Sequence, residues 1–266
     1  MKMPNEEVKH ITVDRMKIEI HHDTASAGRA AAEATAQAIQ ELKQQNERLA
    51  VIFATGASQL AMLDALIARA DVPWKEIEGF HLDEYVGISE NHRASFRRYL
   101  RERLTQRVTL GSFFEIQGDA PDPEAICRQY AQRLEAAQPQ LCLLGIGENG
   151  HLAFNDPAEA NFGDPLDVKI VNLDAECREQ QVAEGWFSGP AEVPSQAITV
   201  TIPALMRVPR LIVSVPGPRK AAVMRRTVEE AISTACPATI LRQHPDATIY
   251  LDRESAAELE SLPLSR

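Results

Sequence analysis

Short runs of apolar, often β-branched residues recur along this chain, and a stretch of helical composition follows most of them. The purest run is Leu49-Ala50-Val51-Ile52-Phe53-Ala54, apolar at every position. A strand of that kind has no solvent face, so the sheet it joins must be covered on both sides. The same reading predicts strands at 77–80, 113–116, 141–146, 197–202, 211–215 and 248–251. Residues 25–45 are rich in Ala, Glu, Gln and Lys, and 59–69 place Leu60, Leu63 and Leu66 on one helical face. Further helices are expected at 95–104, 123–137, 219–231 and 253–261. This alternation predicts an α/β fold, a mainly parallel sheet with helices on both faces. Neither a repeat nor a linker interrupts it, so residues 1–266 are expected to form one domain. Regularity fails only at 155–195, punctuated by Asn155-Asp156-Pro157, Gly163-Asp164-Pro165 and Ser188-Gly189-Pro190, with one helix-like stretch at 176–185. Such a segment reads as a lid or binding loop.

Composition narrows the chemistry. Lys and Arg number 28 against 38 Asp and Glu, a formal net charge of −10. A nucleic-acid partner is not expected, because phosphate backbones are held by clustered cations. The longest apolar runs are strand-sized, well short of the roughly 20 residues that span a membrane. The first seven residues carry acids where a signal peptide has its apolar core, which points to an intracellular, cytoplasmic protein. Cys127, Cys142, Cys177 and Cys236 form no Cys-x-x-Cys pair, and the seven histidines form no His-Glu-x-x-His. Neither a disulfide framework nor a metal is expected. Cys142, inside an apolar run, reads as a small core residue.

Parallel sheets bind ligands beyond the carboxyl ends of their strands, so four strand ends matter. In Ala54-Thr55-Gly56-Ala57-Ser58, a glycine and hydroxyls at a strand-to-helix turn suit a phosphate; the plainer alternative is that Ser58 merely caps the helix. Asp83-Glu84 follows Phe80-His81-Leu82 and offers either a partly buried general base or a solvated turn. Gly145, Gly147 and Gly150 match G-x-G-x-x-G, but Asn155-Asp156-Pro157 stops any helix within seven residues of Gly150, so a dinucleotide site is not expected. The same glycines present His151, with Asp156 five residues on. An imidazole oriented by a carboxylate is a proton-transfer pair, although a loop histidine bonded to backbone fits as well. The fourth end, Val215-Pro216-Gly217-Pro218-Arg219-Lys220, places Lys220 beside free N–H groups as an anion site, or else as a solvated lysine over its own helix.

Taken together, Leu82-Asp83-Glu84-Tyr85-Val86-Gly87, the following Asn91-His92 and Ser95, and Gly145-Ile146-Gly147-Glu148-Asn149-Gly150-His151-Leu152-Ala153-Phe154-Asn155-Asp156-Pro157 resemble the glucosamine-6-phosphate deaminase (isomerase) family, relatives of 6-phosphogluconolactonases. The resemblance covers nearly the whole chain. It implies a modified Rossmann-like fold, no cofactor, and an amino-sugar phosphate as small-molecule partner. It also implies roles. Asp83 would move a proton between C2 and C1 of the opened sugar, and His151, oriented by Asp156 with Asn149 beside it, would open the ring. Thr55, Gly56, Ser58, Arg178 and Lys220 would hold the 6-phosphate.

The sequence departs from the family at three points. Many members have Asp where Asn149 stands and Glu where Asp156 stands, which removes a charge near His151 and shortens the carboxylate arm. The stretch Ala158-Glu159-Ala160-Asn161-Phe162-Gly163 lacks the serines from which a bacterial hexamer of the family builds an allosteric site, so that activation is not expected here. Whether the chain is a monomer or a homo-oligomer stays open. Three other readings remain at this stage. They are a deaminase for an epimer such as galactosamine 6-phosphate, a 6-phosphogluconolactonase, and a non-catalytic sugar-phosphate sensor.

Overall fold

The computed structural model describes residues 8–46 and 48–259. The strands are β1 Lys9–Val13, β2 Met16–His21, β3 Leu49–Phe53, β4 Ile77–His81, β5 Asp83–Tyr85, β6 Ser112–Phe114, β7 Leu141–Leu144, β8 Val168–Asn172, β9 Gln196–Val200, β10 Arg210–Ser214 and β11 Ala247–Asp252. The helices are α1 Thr24–Lys43, α2 Leu60–Ile67, α3 Phe96–Leu100, α4 Pro123–Ala137, α5 Ala175–Ala183, α6 Ile202–Met206 and α7 Ala221–Glu229. Eight strands form one sheet in the order β1-β2-β11-β10-β7-β3-β4-β6, parallel except for the β1–β2 hairpin. The expected mainly parallel sheet is present.

Continuous apolar strands explain the layers. In β3, Leu49, Val51 and Phe53 pack on one side with α1 and α2, while Ala50 and Ile52 pack on the other with α4 and α7. Leu141 and Leu143 of β7 join the first layer, Cys142 and Leu144 the second. Cys142 is a fully buried core residue. Helix α1 starts where its sequence can satisfy its free N–H groups: Ser26 N–H donates to Asp23 Oδ1 at 2.7 Å, and Asp23 N–H donates to Ser26 Oγ at 3.0 Å.

The topology places a crevice. From β3 the chain steps outward to β4 and β6, then returns to β7 on the opposite side of β3 and steps outward again to β10 and β11. Strand order therefore reverses between β3 and β7, and a ligand crevice forms beyond their carboxyl ends.

The structure differs from the sequence reading in four places. Residues 197–202 were expected in the parallel sheet; β9 instead joins a separate antiparallel sheet, β5-β9-β8, because β5 leaves β4 after Leu82 and pairs Asp83 with Thr199. The segment 155–195 is less irregular than predicted and holds β8 as well as α5. The predicted helix 253–261 forms only turns over its described part, with i→i+3 bonds such as Leu259 N–H to Ala256 O at 2.9 Å; residues 260 and 261 lie outside the described residues, as does the acidic N-terminal heptad. The β1–β2 hairpin was missed, although Ile11, Met16, Ile18 and Ile20 alternate into the core. Its turn places Asp14 at φ 53°, a left-handed value that Asp tolerates.

Candidate active site

A cavity of about 370 Å³ occupies the crevice, walled by the segments that follow β3, β4, β7 and β10 and by one side of α5. Asp83, His151, Thr55, Gly56, Ser58 and Lys220 all line it. A carboxylate and an imidazole 68 positions apart in the chain thus face one space.

Asp83 opens β5, where the chain leaves the main sheet. It is 6 % exposed, and no hydrogen bond to its carboxylate is found among the described residues. Burial, and then the charge of Glu84, push its pKa well above the ordinary carboxylate range. Glu84 points the other way into a satisfied niche. It accepts from Ser95 Oγ at 2.7 Å, from the N–H groups of Phe96 and Arg97 at 3.1 and 3.0 Å, and from Arg97 Nε at 3.4 Å. Burial still raises its pKa against these bonds. The adjacent acids therefore divide into one that is unpartnered in the cavity and one that anchors α3. Two residues before Asp83, the sequence reading passed over His81. Burial holds its pKa down at about 3, and its Nε2 accepts from Ile116 N–H at 2.7 Å, so it serves as a neutral strut.

His151 sits on a loop folded back on itself, with Gly147 N–H donating to His151 O at 3.0 Å. A Cβ on Gly147 would lie 2.3 Å from the imidazole, so only glycine leaves room for the ring. His151 Nδ1 lies 2.8 Å from Asp156 Oδ1. Asp156 is fully buried; burial raises its pKa, but the bonds and charge from His151 and Asn149 outweigh this and leave it lowered. Asn149 holds the loop together. Its Oδ1 accepts from His151 N–H at 3.0 Å, while Nδ2 donates to Asp156 at 3.0 Å and to Asp174, the N-cap of α5, at 3.4 Å. Ala153, also on the cavity wall, takes φ 50°, a strained value for alanine. No helix opens at Gly150.

The opposite wall is built from two alike turns. Gly56 after β3 and Gly217 after β10 both adopt left-handed φ, 95° and 94°, and each leads through a single 3₁₀ turn into a helix, α2 or α7. Ser58 does not cap α2; its Oγ accepts from Gln59 Nε2 at 3.1 Å. Lys220 is 8 % exposed, and no carboxylate among the described residues lies within ion-pair distance of its Nζ. Burial lowers its pKa, while Glu184 and Glu148 act in the opposite sense. A buried cation with no ion-pair partner among the described residues, at the mouth of two such turns, is chemically suited to an anion.

Arg178 is not in the cavity wall: its guanidinium donates to the Pro190 carbonyl within its own segment. Arg219, which the sequence reading did not select, lines the cavity and pairs with Glu148 at 3.3 Å. Gln180, Gln181 and Glu184 of the α5 segment also line it and were not anticipated, since polar residues on a short helix carry no distinguishing signal in sequence. His151, Asp156 and Cys177 bring ligating atoms within 4.8 Å of one another, a possible metal set in which His151 Nδ1 and Asp156 Oδ1 lie 2.8 Å apart.

A family model described as glucosamine-6-phosphate isomerases/6-phosphogluconolactonase matches residues 22–250. The chain belongs to that family. Among its relatives, the glucosamine-6-phosphate deaminase of Listeria monocytogenes serotype 4a is 32% identical over 207 residues, 78% of this chain and 86% of its own. The glucosamine-6-phosphate deaminase of an Exiguobacterium species is 34% identical over 207 residues, 77% and 78% of the two chains. A solved monomeric glucosamine-6-phosphate deaminase matches with a TM-score of 0.82 at 29% identity, covering 91% of this chain and 99% of that one. The 6-phosphogluconolactonase of Trypanosoma brucei shares the family fold, with a TM-score of 0.75 at 18% identity over 91% and 98% of the chains.

Proposed function

We propose that this chain is a glucosamine-6-phosphate deaminase, converting glucosamine 6-phosphate and water to fructose 6-phosphate and ammonia. The observation that carries the reading is the shared cavity, with an unpartnered carboxylate on one wall, a carboxylate-oriented imidazole on another, and a buried lysine at two anion-seating turns. The named relatives in this family support the substrate.

The chemistry follows from those groups. His151 relays a proton between the ring oxygen and the C1 hydroxyl, opening the sugar to its aldehyde. Asp83 removes the C2 proton while the C2 ammonium gives one to O1, leaving an enolamine across C1 and C2, and Asp83 then returns its proton to C1. The product is an iminium at C2, to which water adds and from which ammonia leaves. A carboxylate raised in pKa by burial is a stronger base for a carbon acid than a solvated one. Asp156 and Asn149 orient the imidazole. Lys220 and the turn containing Thr55, Gly56 and Ser58 hold the 6-phosphate, and this remote binding fixes C1 and C2 between the proton-transfer groups. Arg178 enters this seat only after breaking its bond to Pro190, whereas Arg219 already lines the cavity.

Among the described residues no helix is long and apolar enough to cross a membrane. A phosphorylated amino sugar is a metabolite of the cell interior, so we place the enzyme in the cytoplasm. The deciding experiment is an ammonia-release assay on glucosamine, galactosamine and N-acetylglucosamine 6-phosphates, with 6-phosphogluconolactone hydrolysis as control. Ammonia from the first compound above the others is the expected result. Turnover of the lactone alone would sink the reading.

A further inference from the structure

Helix α5 and the residue after it present Gln180, Gln181 and Glu184 to the cavity, and two of these side chains are already committed. Gln180 Oε1 accepts from Glu148 N–H at 3.1 Å, and its Nε2 donates to Glu184 at 2.8 Å. The other Glu184 oxygen accepts from the Trp186 indole at 3.2 Å. Gln181 differs. It is 6 % exposed, and its Oε1 accepts from the Tyr85 hydroxyl at 2.8 Å, while no partner for its Nε2 is found among the described residues.

Tyr85 makes that orientation firm. Its ring is fully buried against Phe96, Phe154 and Phe187 at centroid distances of 5.1, 5.1 and 5.5 Å. Burial pushes its hydroxyl well above the ordinary range, and Asp83 is among the charges that add to the effect, so the hydroxyl keeps its proton and acts as donor. A carboxamide has one accepting oxygen and one donating NH₂. With the oxygen turned to Tyr85, the NH₂ is the group left without a partner among the described residues. Asp83 and Tyr85 are alternate residues of β5, and Gln181, held to Tyr85, lines the same cavity as Asp83.

We infer that Gln181 is a substrate-recognition residue, turned by Tyr85 so that its Nε2 donates to an oxygen on the carbon chain of the bound sugar. The inference deepens the deaminase reading and rests on it for the ligand. It assigns sugar recognition to the α5 wall and anion recognition to the turns after β3 and β10.

The test is equilibrium binding to the whole protein of two probes: inorganic phosphate, and the amino-alditol 6-phosphate made by reducing C1, which cannot isomerise. Gln181→Met keeps the length and removes the donor. It is expected to weaken the amino-alditol phosphate by about ten- to hundredfold while leaving inorganic phosphate within about twofold. Tyr85→Phe is expected to weaken the analogue alone, and to add nothing in the Gln181→Met background. Equal loss of both probes in Gln181→Met, or loss of neither, overturns the inference; so does an additive Tyr85→Phe effect. A wild type that binds the analogue but releases no ammonia defeats the deaminase reading and leaves the Gln181 comparison standing. A wild type that does not bind the analogue overturns both.

Discussion

Asp83 and Lys220 are both buried ionisable groups with no ion-pair or hydrogen-bond partner among the described residues, so each costs the folded state something in its charged form. The sign for Asp83 follows from its raised pKa. Its protonated form is favoured in the folded chain, so its favourable contribution is complete below the unfolded carboxylate value and is lost as pH rises through the folded one. Asp83→Asn is therefore expected to cut kcat by about 10²–10⁴-fold, the usual worth of a general base, while preserving analogue binding. Its melting temperature should match wild type at low pH and exceed it increasingly as pH rises; equal melting at every pH would mean the carboxyl carries no burial penalty. The acid limb of wild-type kcat/KM should lie above the ordinary carboxylate range, because the proposed role of Asp83 as base requires its ionised form. Lys220 has the opposite charge and a lowered pKa, so its penalty is full below the folded value and fades as pH rises towards the unfolded one. Lys220→Met should raise KM for the sugar phosphate by about tenfold or more and hold or raise the melting temperature near neutrality. A drop in melting with KM unchanged would make Lys220 a packing residue.

At the scale of elements, the site depends on turns that few residues can form. Gly217 has φ 94°, and a Cβ there would meet nothing within 4 Å, so the cost of a side chain is backbone strain rather than collision. Gly217→Ala is expected to cost about 1–3 kcal/mol and to raise KM through the displaced Lys220, with kcat little changed. Unaltered KM in thermal-shift-verified protein would show that the turn does not set the anion seat. The loop after β7 depends on Asn149, which ties His151 to Asp156 and to the cap of α5. Asn149→Ala removes all three bonds, and each is worth about 0.5–1.5 kcal/mol. Its expected signature is a kcat loss much larger than the KM change, because the imidazole loses its orientation while the phosphate seat stays intact. These turns were legible in sequence at Gly56, Gly217 and Gly147, where glycine interrupts an apolar run. Helix α5 was legible as a helix. Its alignment was not, because Arg178 and Gln181 look equally plausible until the backbone turns one towards Pro190 and the other towards Tyr85.

Across the whole molecule, the small β5-β9-β8 sheet must stay docked for Asp83 to reach the cavity. Arg97, 3 % exposed, helps to pin it: the guanidinium meets Glu84 at 3.4 Å and Asp119 at 3.0 Å and donates to Ile88 O at 2.9 Å. Arg97→Ala leaves Glu84 buried with one fewer cation. It is expected to destabilise the fold by about 3–5 kcal/mol, read as a lower denaturant midpoint, whereas Arg98→Ala on the exposed face should change little. Comparable losses in the two variants would remove Arg97 from that role.

The apolar runs and the helical stretches between them were enough to specify a parallel sheet covered on both faces, because burial on two sides leaves strands no polar alternation and so marks them locally. The turns at strand ends were visible for the same reason: glycine and proline act on the backbone next to them. Which side chains meet was decided only by the fold. That Asp83 and His151 face one cavity while Glu84 is absorbed by α3, and that Tyr85 turns Gln181, depend on packing between segments apart in the chain. Such contacts leave no periodic mark in the residues that make them.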